Sequence, residues 1–153
     1  MKENPKDTQL RKDMVEGRLV KDGFLGEDDR SLLDIVAADL AVLEARGVTQ
    51  QQLGQAMRAL MEKGLTGMGM EVDSGKWLVK TEEYMGRMGC PFKDGHRAAK
   101  RNTTLTDKAS GQTITFSDLN IHLIEKHGFF QGEGSPYRLE PEVLAELVVK
   151  TEG

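Results

Sequence analysis

The side chains of this chain best suited to soft-metal chemistry all fall in one stretch: its only cysteine, Cys90, and its only three histidines, His96, His122 and His127. One thiolate and three imidazoles match the count, softness and geometry that a tetrahedral zinc ion takes, so the set predicts a site for one zinc ion. The order is Cys90, five residues, His96, twenty-five residues, His122, four residues, His127. Residues five apart lie about 140° around an ideal helix, so His122 and His127 share one face only if the last turn tightens or unwinds, which Gly128 permits. The competing reading gives His127 to the C-terminal carbonyls of its own helix, where positive charge is favoured, and His122 to a hydrogen bond with the sheet.

A basic segment lies in the same window. From Lys93 to Lys108 five cations face two carboxylates, and Arg97, Lys100 and Arg101 are the candidates for an anion contact in an otherwise acidic chain. No aromatic residues are interleaved there to stack bases, which argues against nucleic acid. Cys90 is also a candidate nucleophile with a histidine as its base. Its surroundings, Met88-Gly89-Cys90-Pro91-Phe92, carry no protease or transferase signature, and no predicted helix starts there to lower the thiol pKa.

These residues need elements to hold them. Ser31 with Asp34 three residues on, and Leu32, Val36, Leu40 and Leu43 at helical spacing, predict a helix ending near Gly47. Thr49 with Gln52 repeats the start signal, and Leu53, Met57, Leu60 and Met61 carry a second helix to Gly64. Met70 to Val72 and Trp77 to Thr81 predict a hairpin around Asp73-Ser74-Gly75, followed by a short helical turn through Glu83, Tyr84 and Met85. A loop surrounds Cys90. A second hairpin joins Thr103–Thr106 to Gln112–Phe116, then Ser117 caps a short helix to His127, and Pro141 opens a closing helix.

The predicted fold class is α+β: an N-terminal helical pair, then a small antiparallel sheet of two hairpins with C-terminal helices. Residues 1–25 read as a polar N-terminal segment, partly frayed, and 26–153 as a single domain with a helical half (26–64) and a strand-rich half (65–153). From 90 to 127 the arrangement resembles a zinc finger of the ββα type, in which a loop or hairpin supplies one ligand pair and a helix supplies histidines three to five apart. It departs from that pattern in having His96 where a cysteine is usual, a wider first pair and a central gap about twice the familiar length. The helix pair around Gly47-Val48-Thr49 superficially resembles a helix-turn-helix with Gln50, Gln51, Gln52 and Gln55 on the second helix. That helix offers only Arg58 and Lys63 as cations, so a packing hairpin or dimer interface is the expected role.

The chain has 153 residues, 38% hydrophobic and 30% charged, which is long enough to bury a core without metal as its only support. No apolar run approaches a membrane span, the opening stretch has no signal-peptide core, and one cysteine makes no intrachain disulfide, so the expected location is the cytoplasm. A net charge of −4 argues against wholesale binding to nucleic acid. Three functions fit. The first is an interaction module with a structural zinc site, acting on a protein partner or a second copy. The second is a metal hydrolase with three protein ligands, a zinc-bound water and Glu125 or Asp118 as general base. The third is a metal-free protein acting through an oligomeric or partner interface.

Overall fold

Three helices begin where the preceding side-chain oxygen can take an amide that the helix leaves unpaired. Ser31 accepts from the amide of Asp34 and opens α1 (Leu32–Ala45). Thr49 and Gln52 form a reciprocal capping box at α2 (Gln50–Leu65), and Ser117 with Asn120 does the same at α3 (Asp118–His127). Gly128, at φ 62°, closes α3 in the left-handed conformation that a glycine takes without strain. The closing helix is α4 (Pro141–Glu152). The computed structural model describes residues 24–25, 28–135 and 138–152, so most of the polar segment expected over 1–25 lies outside the described residues.

The strands are β1 (Val72–Ser74), β2 (Trp77–Gly89), β3 (Arg97–Asp107) and β4 (Thr113–Ser117), in the spatial order β1-β2-β3-β4 and antiparallel throughout. With helices at both ends, this is the α+β architecture read from the sequence. Two local expectations are corrected. The first turn holds only Gly75 and Lys76, because Ser74 pairs directly with Trp77. The helical turn expected through Glu83, Tyr84 and Met85 is strand: β2 continues to Gly89 because β3 pairs with it as far as Gly89 opposite Arg97. The irregularity there is a bulge, with Met85 and Gly86 unpaired between Tyr84 and Arg87 and Gly86 at φ 99°.

The sheet therefore has two parts. Near β1 and β4, Trp77, Val79, Thr81, Thr103, Leu105 and Phe116 are buried and pack with the apolar faces of α2, α3 and α4 in the main core. At the α2–β2 crossing Gly64 lies so close to Thr81 that a methyl group would overlap its hydroxyl. That hydroxyl donates to Met61 O at 2.9 Å and lies 3.2 Å from the hydroxyl of Thr103. Beyond Thr81, β2 and β3 run on as an exposed two-stranded ribbon whose tip is the loop 90–96.

The position of α3 follows from simple lengths. It starts after Ser117, which pairs with Asn102, and ten helical residues extend about 15 Å. The six residues from Asn102 back to His96 cover about 20 Å of strand. Lying along β3, α3 thus delivers its last turn to the tip loop. A second core cluster seals the junction, joining Phe24, Leu25, Leu32 and Ile35 to Cys90, Ala98, Leu119, Leu123 and Phe129. No helix among the described residues is long and apolar enough to cross a membrane.

Candidate metal centre

The tip loop is held in shape by its own backbone. The amide of Cys90 donates to His96 O at 3.0 Å, the amide of Lys93 to Cys90 O at 3.0 Å, and the amide of His96 to Asp94 Oδ1 at 3.0 Å. Lys93 and Gly95 take positive φ values, 58° and 85°, which fold the five-residue interval back on itself. As a result the second oxygen of Asp94 points toward α3, over Cys90.

Four side chains converge there. One ligand atom from each of Cys90, Asp94, His122 and His127 lies within 4.8 Å of every other. Nε2 of His122 and Nε2 of His127 each lie 2.8 Å from Asp94 Oδ2, and Cys90 Sγ is 3.6 Å from His127 Nε2. The two imidazoles approach from different sides of the helix, with ring centroids 5.3 Å apart and planes 77° apart, and meet at the carboxylate. This resolves the awkward five-residue spacing: Asp94 stands where both rings can reach. Neither histidine takes the alternative partner expected for it. The carbonyls at the end of α3 are instead served by Gln50, whose Nε2 donates to Glu125 O at 3.0 Å.

Residue type and spacing predict His96 as a ligand beside Cys90, His122 and His127, but the group brought together among the described residues has Asp94 in that place. The reason is local. His96 spends its amide on Asp94 Oδ1 and its carbonyl on Cys90, and its ring stacks on His122 with centroids 3.9 Å apart. Phe92 stacks on His127 in the same way at 4.1 Å. The loop thus supplies two ligand atoms and two flat rings that fix the imidazoles.

The electrostatics favour a cation. Desolvation raises the Asp94 carboxyl, but the His96 amide and the two imidazoles outweigh it and hold the group well below the usual carboxylate range, so it is an anion facing two ring nitrogens. Without metal, both Nε2–H groups donate to it. Burial pushes the Cys90 thiol up to about 11, with the Asp94 charge adding to the effect, so Cys90 alone is a protonated, 7% exposed thiol and a poor nucleophile. A dication reverses that logic: one thiolate and one carboxylate balance its charge, leaving a neutral centre in a half-buried pocket. Tetrahedral bonds of about 2.0–2.3 Å put neighbouring ligand atoms about 3.3–3.6 Å apart. The Cys90–His127 separation already matches this, and the carboxylate contacts need to open by about half an ångström.

The two carboxylates named as general bases stand outside the group. Glu125 accepts from both terminal nitrogens of Arg58 at 2.9 and 3.0 Å, and this pairing is the main cause holding its carboxyl low. Asp118 accepts from Arg101 Nε at 2.8 Å. Of the basic candidates, Arg97 and Arg101 face a cleft between the ribbon and α3, while Lys100 lies elsewhere on the ribbon, beside Tyr84 and Met85. Comparison with protein-family models, curated proteins and solved structures finds no match.

Proposed function

We propose that Cys90, Asp94, His122 and His127 bind one zinc ion in a structural site, and that the protein is an interaction module of the reducing cytoplasm. The observation that carries this reading is the convergence of four ligand atoms from two elements within 4.8 Å. Zinc suits the set because it tolerates a thiolate, imidazoles and a carboxylate together. Four protein ligands fill a tetrahedral shell and leave no position for an activated water. Glu125 and Asp118, the bases a hydrolytic reading would use, are both held by arginines, which favours the structural reading.

The ion would pin the tip of the β2–β3 ribbon to the last turn of α3, a junction otherwise closed by the small second core. The partner contacts are read from apolar side chains left in solvent, Met68 at 92%, Met70 at 72%, Tyr84 at 55% and Met85 at 96% exposure, the three methionines being flexible groups suited to a protein partner or a second copy.

Elemental analysis of untagged protein tests the reading, with about one zinc per chain expected. Cobalt substitution should give a thiolate charge-transfer band that Cys90→Ser abolishes, together with a loss of thermal stability, since binding energy is folding energy at such a site. Protein purified without metal and unable to take up zinc or cobalt would remove the proposal.

A further inference from the structure

The cleft that receives Arg97 and Arg101 shares His122 with the converging group. It encloses about 340 Å³ between α2, the start of β3 and α3, within the range of sites that hold a small molecule. Its floor includes Met61, Ala98 and Ile121, all buried.

Its walls are charged, and unevenly. Five cations line it, Arg58, Arg87, Arg97, Arg101 and Lys126, against the three carboxylates Glu62, Asp118 and Glu125, in a protein whose net charge is −4. Two of the cations are already committed: Arg58 to Glu125 and Arg101 to Asp118. Those pairs hold two guanidinium groups in fixed positions and neutralise two of the acids. Arg87, Arg97 and Lys126 form no ion pair with a carboxylate among the described residues. Arg87 reaches only the carbonyl of Arg97, at 3.4 Å. A concave, partly apolar wall concentrates the field of such charges, and guanidinium groups match the forked oxygens of a phosphoryl group.

We propose that this cleft binds a small phosphate-bearing anion, gripped by Arg97 and Lys126 with Arg87 at the rim. The cations come from the ribbon and from α3, so the bound phosphate would bridge the same two elements that the candidate metal centre joins. The ligand class is a phosphomonoester of a small molecule, because the cleft lies between three elements, no Phe, Tyr or Trp lines it, and the ring of His96 is already stacked on His122. This site does not depend on the metal reading.

The test is calorimetric titration of the full chain with inorganic phosphate and with phenyl phosphate at low salt. Saturable binding is expected, weakening as salt rises, and the double variant Arg97→Gln/Lys126→Gln should lose about tenfold or more in affinity. Both side chains lack structural ion pairs, so the variant should melt with the parent protein. Lys100→Gln, outside the cleft, should bind within about twofold of the parent. Three results overturn the proposal. These are no saturation up to about 10 mM of either probe, equal affinity in the double variant, and tight binding of a single-stranded oligonucleotide where both phosphates fail.

Discussion

The imidazole of His96 lies flat against that of His122, centroids 3.9 Å apart and planes within 7°, although His96 contributes no atom to the converging group. Phe92 does the same for His127, with planes within 8°. Each ligand histidine is therefore aimed by a ring from the tip loop, and the loop that supplies Cys90 and Asp94 also fixes the orientation of their partners. The candidate ligands of the loop and its orienting rings are different residues, so the two contributions to the proposed site can be separated.

Asp94→Ala removes a ligand and an anion, and should weaken zinc binding by about 100-fold; His96→Ala removes only an orienting ring, and should cost less than about tenfold. Competition with a chromophoric chelator measures both. Equal losses in the two variants would return His96 to the first rank of ligands, and an unchanged affinity in Asp94→Ala would dismiss the carboxylate.

Why His96 stood out in the sequence, and Asp94 did not, is a matter of abundance. Three histidines and one cysteine are conspicuous in 153 residues, whereas Asp94 is one of 25 acidic residues. A signal existed in Asp94-Gly95-His96: an aspartate two residues before a loop amide tends to take that amide with one oxygen and present the other. The helices were legible because their signals are local, with Ser31, Thr49 and Ser117 capping as their positions suggest. The far half of β2 was not. From Glu83 to Gly86 every residue is exposed, so no alternation marks the strand, and its partners lie at least eight positions on. The basic cleft was half legible for the same reason: Arg97 and Arg101 are close in sequence, but Arg58 and Lys126 join them only through the packing of α2 and α3.

A second network holds the helical half to the end of the chain. Arg138, 9% exposed, donates from both terminal nitrogens to Asp39 of α1 at 2.9 Å and from one of them to Gln131 O at 2.7 Å. Hydrogen bonding to Asp39 raises the guanidinium pKa further despite its burial. Asp39→Ala leaves that cation only the half-exposed carboxylate of Glu140, to which its Nε donates at 3.1 Å, and should cost about 2–3 kcal/mol in denaturant unfolding. Replacing both partners, Asp39→Leu with Arg138→Met, should recover most of the loss, because no charge then remains buried. A single variant that loses less than about 1 kcal/mol would mean that Glu140 and water satisfy Arg138 without Asp39.

Acid should release the tie by which Asp28 holds the start of the described chain to the loop before α4. Its carboxylate accepts from the side chain of Arg30 at 2.9 Å and from the amides of Arg30 and Glu133 at 3.1 Å each. The Arg30 pairing is the main cause lowering its pKa from 3.8 to about 2. A folded-state value below the unfolded one means that the ionised form stabilises the fold. The contribution is complete above about pH 4 to 5 and disappears as the pH falls through about 2. Discounted for the third of Arg30 that stays in solvent, it amounts to about 1–2 kcal/mol. Asp28→Asn should lose that amount at neutral pH and nothing further in acid, so the stability curves of variant and parent should converge between pH 4 and 2. Curves that stay parallel over this interval would show that Asp28 titrates at its ordinary value and that the tie to Glu133 does not depend on its charge.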